Sequence, residues 1–170
     1  PVSNNFKYMG YKSSTHNTIG SYCIMSVCKD HTGSYWIGTD NDGIYRIDPD
    51  GKQQAHFEQR PGISHSVSST IMSICEDSDR NLWIGSYRDG LAKLNPQTGH
   101  CEYIYLPDKD HKPAQSIYSI IEDKHRQLWV GAMGAGLYRI NLETKEIYHC
   151  PSTANGFEYR PLSKIGRAHV

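Results

Sequence analysis

A repeat of 46 to 47 residues constrains this 170-residue chain more than any other feature of its sequence. The three tryptophans, Trp36, Trp83 and Trp129, are separated by 47 and 46 residues, and the sequences around them align without gaps. Residues 24–48 and 71–95 are identical at ten of 25 aligned positions. Self-similarity at a fixed period of this length is typical of repeat architectures, in which each copy is one structural unit. We therefore expect three similar units in series.

Three further positions are the same in every copy, each at a fixed distance from the tryptophan. An aspartate precedes the tryptophan by six residues, one glycine follows it by two, and a second glycine follows it by seven. An aspartate at a strand end can accept hydrogen bonds from the amides of the next turn, and glycine readily adopts positive φ. We interpret all of these positions as structural. They are Asp30, Asp77, Asp123, Gly38, Gly85, Gly131, Gly43, Gly90 and Gly136.

Each copy divides into four short segments of β-strand character, separated by turn-forming residues. The first segment, at 24–28, 71–75 and 117–121, is almost wholly apolar, and the fourth is the most polar. A strand that is apolar at successive positions is typical of burial on both faces. We therefore expect burial to be greatest in the first strand and to fade towards the fourth. Four-stranded units of this kind around a common axis are the blades of a β-propeller.

The sequence thus predicts an all-β fold, a β-propeller fragment of about three four-stranded antiparallel blades. We interpret residues 6–11 as the outer strand of a preceding blade, and residues 157–163 as the approach to a following one. The three blades are expected at about residues 20–60, 67–108 and 113–151.

The two ends of the chain do not carry the repeat. The partial propeller is expected to occupy residues 1–163. Residues 165–170 read IGRAHV, which is the translation of a common sequencing adapter, and Lys164 fits the bases that precede it. We therefore interpret residues 164–170 as a non-native tail and seek no function there.

Composition and motifs narrow the classes of function. Eighteen basic and eighteen acidic residues cancel, so electrostatics favour neither nucleic acid nor an anionic membrane as a partner. No apolar run approaches the roughly 20 residues of a membrane helix, so we expect no membrane contact by this segment. The five cysteines form no C-x-x-C pair, and Cys28 and Cys75 align with Ile121, which indicates small buried side chains. We predict no metal site and no cofactor. The sequence contains no G-x-S-x-G, H-E-x-x-H or P-loop motif, so we name no catalytic residue.

One segment resembles a known family of repeats. Residues 71–95 read IMSICEDSDRNLWIGSYRDGLAKLN, which is similar to the two-component regulator propeller repeat, and residues 117–141 and 24–48 follow the same pattern. The chain has no Trp-Asp dipeptide and no Gly-Gly pair, which disfavours WD40 and kelch propellers. The chain departs from the family's repeat at one position of the first turn, where the family usually has glycine. Gly33 keeps this glycine, whereas Arg80 and Arg126 replace it.

The resemblance implies a setting and a ligand class. Such repeats typically form the periplasmic sensor of hybrid two-component histidine kinases in Bacteroidetes, and the implied ligand is an oligosaccharide. The implied partners are the remaining blades of the same chain and a second copy of the parent sensor. Two other classes stay open, because fold does not decide function. They are a propeller enzyme, such as a lyase or glycan hydrolase, and a secreted binding scaffold.

Loop residues outside the repeated positions are the candidates for ligand binding. In propellers, the loops joining second to third strands and those leading to the next blade lie on one face. Tyr87, Arg88 and Asp89 supply an aromatic ring, a donor fork and an acceptor, a set that suits a sugar. An ordinary solvated loop stays the alternative. The other candidates are Asp40, Asn41 and Asp42, with Met133, Gly134, Ala135, His65, His111 and Gln115 also in loops of this kind.

Repeated residues are interpreted as structural even where their chemistry could serve a ligand. The three tryptophans could stack on sugar rings, but a large aromatic side chain at one register in every blade is typical of packing between blades. The third segment of each copy carries a basic residue, which we interpret as a charge on a strand face with a packed stem. These residues are Arg46, Lys93 and Arg139.

Overall fold

The computed structural model describes residues 19–20, 22–108 and 110–150, and the backbone of residues 152–153, 156–157 and 160–164. Within these ranges the chain forms strands, turns and one isolated bridge but no helix, so the all-β prediction is confirmed. The strands are β1 Ile24–Lys29, β2 Tyr35–Thr39, β3 Ile44–Ile47, β4 Gln53–Phe57, β5 Ile71–Glu76, β6 Leu82–Ser86, β7 Leu91–Leu94, β8 Cys101–Ile104, β9 Ile117–Glu122, β10 Gln127–Ala132, β11 Gly136–Asn141, β12 Glu146–Cys150, β13 Ser152–Thr153, β14 Gly156–Phe157 and β15 Arg160–Lys164.

Three antiparallel sheets follow one another along the chain. Their strand orders are β1-β2-β3-β4, β5-β6-β7-β8 and β9-β10-β11-β12, with β15 paired to the outer side of β12. We call these sheets blades one, two and three. Each joins consecutive strands through short turns, as the sequence predicted. The residues assigned to a preceding outer strand, 6–11, and the tail residues 165–170 lie outside the described part of the chain.

The blades stack through their first strands. Strand β5 packs against both β1 and β9, and a serine hydroxyl of one blade donates to a main-chain carbonyl of the next. Ser26 Oγ lies 3.0 Å from the Ile71 carbonyl oxygen, and Ser73 Oγ lies 3.4 Å from that of Ile117. A Cβ atom at Gly38 would lie only 2.7 Å from the same Ile71 oxygen, so this position has to be glycine for blade two to approach.

Two of the three tryptophans, Trp36 and Trp83, lie at these interfaces, which supports packing as their role. Trp36 belongs to a core that also contains Ile71 and Leu82 of blade two. Trp83 packs in the same way with Ile117 of blade three and its neighbours. These two clusters are shared between blades, so the apolar surface of each sheet is buried by the sheet that follows it.

The predicted burial gradient is wrong for the described residues. The second strands β2 and β6 are almost completely buried, whereas the first strand β1 exposes 58% of Val27 and β9 exposes 61% of Ile121. Strand β5, which lies between two first strands, is the most buried of the three. Strand β5 is buried because it has a neighbouring blade on each side. Strands β1 and β9 are more exposed because each has a described neighbouring blade on one side only.

The repeated aspartate fixes both the first turn and the tryptophan. Asp77 Oδ1 accepts hydrogen bonds from the amides of Asp79 (2.9 Å) and Asn81 (2.8 Å), which confirms the predicted turn bonds. Its other oxygen, Oδ2, accepts a hydrogen bond of 2.8 Å from Trp83 Nε1. The sequence analysis did not predict this indole bond. It recurs from Trp36 to Asp30 (3.0 Å) and from Trp129 to Asp123 (2.8 Å).

These bonds also affect the acidity of the aspartates. Burial would raise the pKa of Asp30, but hydrogen bonds from Thr32, Trp36 and Ser34 together outweigh it and hold that pKa below its usual value. The bond from Trp129, with the turn amides, likewise lowers the pKa of Asp123. Both carboxylates are therefore held in the ionised form at neutral pH.

The first turn of each blade keeps its backbone conformation whether it contains glycine or arginine. Arg80 and Arg126 adopt φ values of 68° and 60°, in the left-handed region where Gly33 has 86°. The hairpin geometry is thus kept although arginine replaces glycine. The second repeated glycines, Gly43 and Gly90, have φ values of 68° and 81°, as predicted.

The basic residue of each third strand lies opposite the tryptophan of the second strand. The Arg46 guanidinium lies 5.3 Å from the Trp36 ring centre and 3.1 Å from Asp30. The Arg139 guanidinium lies 5.9 Å from the Trp129 ring. These contacts support the interpretation of packed strand-face charges.

Candidate functional site

Both kinds of candidate loop meet at one end of the blades, as predicted. In every blade, the main-chain N–H group of the first residue after the second strand donates a hydrogen bond to the carbonyl oxygen of the residue just before the first strand. Two further bonds link a loop to the connection that leads to the next blade: Gly43 N–H donates to Ser69 O (2.8 Å), and Gly90 N–H donates to Gln115 O (2.7 Å). We call this end the loop face. The three recurring bonds are Asp40 to Cys23 (2.9 Å), Tyr87 to Thr70 (3.2 Å) and Met133 to Ser116 (2.9 Å).

The first candidate loop is held partly by its own hydrogen bonds. Thr70 Oγ1 donates to Asp40 Oδ1 (3.3 Å) and accepts from the Asn41 amide (3.2 Å). Asp42 Oδ2 accepts from the Tyr45 hydroxyl at 2.6 Å. Asp40 and Asn41 are exposed and Asp42 is half-buried, so one carboxylate oxygen of Asp42 is committed to the fold.

The second candidate loop does not form one compact set. Tyr87, Arg88 and Asp89 are all exposed, and the Arg88 guanidinium lies 5.4 Å from the Tyr87 ring centre. The ring predicted to stack on a sugar therefore already has a cation near it. Asp89 lines a cleft with Tyr103, and neither Tyr87 nor Arg88 lines that cleft. The structure thus brings two of the three predicted residues together and places the third in a different environment.

The cleft that contains Asp89 has a volume of about 540 Å³. Most of its wall is the connecting segment 59–66 between blades one and two, which supplies Gln59, Arg60 and the exposed Ile63. Tyr103 donates its hydroxyl to Ser66 O (2.9 Å), and burial raises the pKa of this tyrosine. The cleft therefore combines an apolar side chain with an acceptor, a cation and amide groups.

Sequence reasoning did not identify Gln59, Arg60 or Tyr103. The available signal was that segment 59–66 lies outside the repeat and contains a Pro-Gly turn, so its polar residues are not explained by blade packing. Tyr103 gives no such signal, because it belongs to an ordinary outer strand.

A second cleft, also of about 540 Å³, adjoins the first and shares Gln59, Arg60, Ile63 and Ser66 with it. It is lined by His56, Glu58 and His100, and by His65, whose ring stacks on that of His100 with 4.4 Å between ring centres. Of the remaining candidates, His111 accepts a hydrogen bond from the Tyr105 hydroxyl through its carbonyl (2.8 Å). Met133, Gly134 and Ala135 form the equivalent loop of blade three.

The geometry defines the class of protein: three consecutive four-stranded blades of a β-propeller that is not closed within the described residues. A family model described as the two component regulator propeller matches residues 18–41, 66–88 and 111–134. Each match starts before a first strand and ends in or beside the following candidate loop. The chain therefore carries three repeats of the two-component regulator propeller type, one in each blade.

Solved structures agree with this assignment. The extracellular domain of the hybrid two component system BT3049 from B. thetaiotaomicron is 27% identical, with a TM-score of 0.64 over 81% of this chain and 17% of that one. The extracellular domain of the hybrid system BT4673 from the same organism is 21% identical, with a TM-score of 0.57 over 71% of this chain and 16% of that one.

A more distant structure shares the fold alone. PorZ, a surface component of the type-IX secretion system of Porphyromonas gingivalis, is 13% identical, with a TM-score of 0.53 over 85% of this chain and 25% of that one. The chain thus spans a quarter or less of the length of each of these three structures. A search of curated proteins found no match. None of the described residues forms a helix long and apolar enough to span a membrane.

Proposed function

We propose that this chain is a ligand-sensing segment of the periplasmic propeller region of a hybrid two-component sensor. The observation that carries the proposal is the threefold match to the two-component regulator propeller. The likeness to extracellular domains of B. thetaiotaomicron hybrid systems supports an extracytoplasmic location. In this role the chain is not itself an enzyme, and its partners are the remaining blades of the parent protein and a second copy of that protein.

Signalling in such a segment would work through the packing between blades. Consecutive blades contact each other through first strands, shared tryptophan clusters and main-chain bonds of the loop face. A ligand held between loops of two blades would favour one arrangement of those blades over another. The change would reach the kinase as an altered geometry of the sensor dimer.

We propose that the ligand is an oligosaccharide bound at the loop face, in the cleft of Asp89. Sugars present many hydroxyl groups, which both donate and accept hydrogen bonds, together with weakly apolar ring faces. The cleft offers Asp89 as acceptor, Arg60 and Gln59 as donors, and Ile63 as apolar surface. A volume of about 540 Å³ lies within the range of small-molecule sites.

Isothermal titration of the full chain with size-defined glucan, mannan and xylan oligosaccharides tests this site. At least one should bind, and Asp89→Asn or Arg60→Ala should weaken binding about tenfold, because the first removes the charge of the acceptor and the second removes the charged donor. Asp50→Asn is the control, since Asp50 lies in the β3–β4 turn at the opposite end of its blade. Failure of all three classes to bind, or binding that neither variant weakens, would contradict the site. Shortened products after incubation would instead support the enzyme alternative.

A further inference from the structure

We propose that Asp42, His56 and Glu58 of blade one bind a divalent transition-metal cation such as Zn²⁺. Each of these residues offers one ligand atom, and the three atoms lie within 4.8 Å of one another. One imidazole nitrogen and two carboxylate oxygens are donors that Zn²⁺ accepts in proteins, and three protein ligands leave a position for water or a ligand.

The antiparallel pairing of β3 and β4 brings these residues together. Asp42 lies just before β3, and His56 and Glu58 lie at the end of β4, which returns to the same end of the blade. His56 Nε2 lies 3.6 Å from Asp42 Oδ1. Two ligands of a tetrahedral zinc ion, each about 2.0–2.1 Å from the metal, lie roughly 3.3 Å apart. The His56–Asp42 pair is therefore close to the separation that a shared cation requires.

Contacts around the pair hold it in place and leave one oxygen available. The His56 ring stacks on the Tyr45 ring, with 3.8 Å between ring centres and 8° between planes. The Tyr45 hydroxyl donates to Asp42 Oδ2, so Oδ1 is the oxygen that faces the histidine nitrogen. His56 Nε2 also lies 2.8 Å from Asp42 O, an interaction that a cation bound at Nε2 would replace.

Blade three shows that the fold does not need the carboxylates. There His149 stacks on Tyr138 at 4.4 Å, and its Nε2 lies 2.6 Å from Ala135 O, in the same arrangement as in blade one. Alanine takes the place of Asp42, and residue 151, which corresponds to Glu58, is proline. The stacked histidine is thus a structural feature of the blades, and the two carboxylates are an addition specific to blade one.

Blade two has only part of the set. Asp89 corresponds to Asp42, but tyrosines take the places of His56 and Glu58. Of the three repeats, therefore, blade one alone combines the imidazole with both carboxylates.

The local charge also favours a cation. Among the described residues no lysine or arginine forms an ion pair with either carboxylate. Two neighbouring negative charges without a basic partner are stabilised by a divalent ion.

The cation would be accessible from solution. His56 and Glu58 line the cleft of about 540 Å³ that also contains His65 and His100. Coordination positions not occupied by protein would open into this space, so that water or an oxygen-bearing ligand could complete the shell. This cleft shares Gln59, Arg60, Ile63 and Ser66 with the cleft of Asp89, but His56 and Glu58 do not line the cleft of Asp89. The zinc proposal does not depend on the oligosaccharide proposal.

Titration of the EDTA-treated full chain with ZnCl₂, in buffer free of sugars, tests the site. We expect one Zn²⁺ per chain at the cluster. Glu58→Gln and Asp42→Asn should each weaken it about tenfold or more, since even partners one step removed from a metal are worth 10- to 100-fold in affinity. Asp50→Asn should leave zinc binding unchanged, since Asp50 lies in the β3–β4 turn at the opposite end of blade one. Because Glu58 is exposed and Asn keeps an acceptor for Tyr45, neither variant should lower the melting temperature of the metal-free chain by more than a few degrees.

Two results would overturn the proposal. The first is no Zn²⁺ binding, or binding that Glu58→Gln and Asp42→Asn leave as tight as in the wild type, which would place any zinc elsewhere. The second is Ca²⁺ binding as tightly as Zn²⁺, since a site that uses the imidazole prefers the transition metal. A failed oligosaccharide titration with intact zinc binding would remove only the sugar proposal.

Discussion

Replacing Asp77 by alanine should lower the free energy of unfolding by about 2–4 kcal/mol. The carboxylate is buried and accepts hydrogen bonds from the Trp83 indole, from two main-chain amides of the turn and from the side-chain amide of Asn81. Trp83 is itself only 4% exposed, so without Asp77 its N–H group would have no partner and little access to water. An unsatisfied buried donor costs about 1–3 kcal/mol, and the turn amides add to this. Urea unfolding followed by tryptophan fluorescence measures the loss.

Two variants check that the hydrogen bonds, rather than the position alone, carry this effect. Asp77→Asn keeps an oxygen acceptor of the same shape and should lose clearly less stability than Asp77→Ala. Asp123→Ala should also lose less, because Asp123 and Trp129 in blade three are only partly buried and water can replace the carboxylate. Equal losses for Asp77→Ala and Asp123→Ala would contradict the account of the buried indole bond.

The second large effect is expected at the contact between blades one and two. Gly38→Ala should destabilise the chain by about 1–3 kcal/mol, the usual cost of overpacking. The new Cβ atom would collide with Ser26 Oγ of the same blade, which is a side-chain atom that can rotate. It would also lie 2.7 Å from the Ile71 carbonyl oxygen and 2.8 Å from Ile71 Cβ, and the main-chain oxygen of blade two cannot move aside as a side chain can. Thermal and urea unfolding of the full chain measure the effect.

Gly131 supplies the matched control. It holds the position of Gly38 in blade three, where its nearest contact for a Cβ atom is Ser119 Cβ at 3.5 Å, an ordinary distance. Gly131→Ala in this chain should therefore change stability by no more than about 0.5 kcal/mol. If both alanine variants lost the same stability, the cause would lie within the blade and the stacking account would be wrong.

The blades could be predicted because the same pattern of residues occurs three times, which chance does not explain. Trp36, Trp83 and Trp129 mark one register, and the aspartate six residues earlier marks a turn, so strand order followed directly. The bond between the two was missed, although the constant spacing of six residues was visible. Such a bond depends on how a hairpin turns back, which composition and periodicity do not show.

The exposure of individual side chains and the position of the candidate sites depend on contacts between residues that are far apart in the chain. A single sequence does not show these contacts. The exposure of Val27 and Ile121 follows from which blades stand beside β1 and β9, whereas the apolar pattern of those strands reflects blades on both sides. The Asp89 cleft depends on the path of segment 59–66. Asp42 and His56 are 14 residues apart, and only the pairing of β3 with β4 brings them together.

We propose that this chain is part of the propeller region of a membrane-spanning sensor. The most direct test is the sequence of the parent gene on both sides of this segment. If the proposed role is right, the parent gene should encode further repeats of the same kind. By resemblance to hybrid two-component sensors, it should also encode one apolar helix of about 20 residues and a histidine kinase domain. A frame that completes the propeller and stops, with no membrane helix and no kinase, would contradict the sensor assignment.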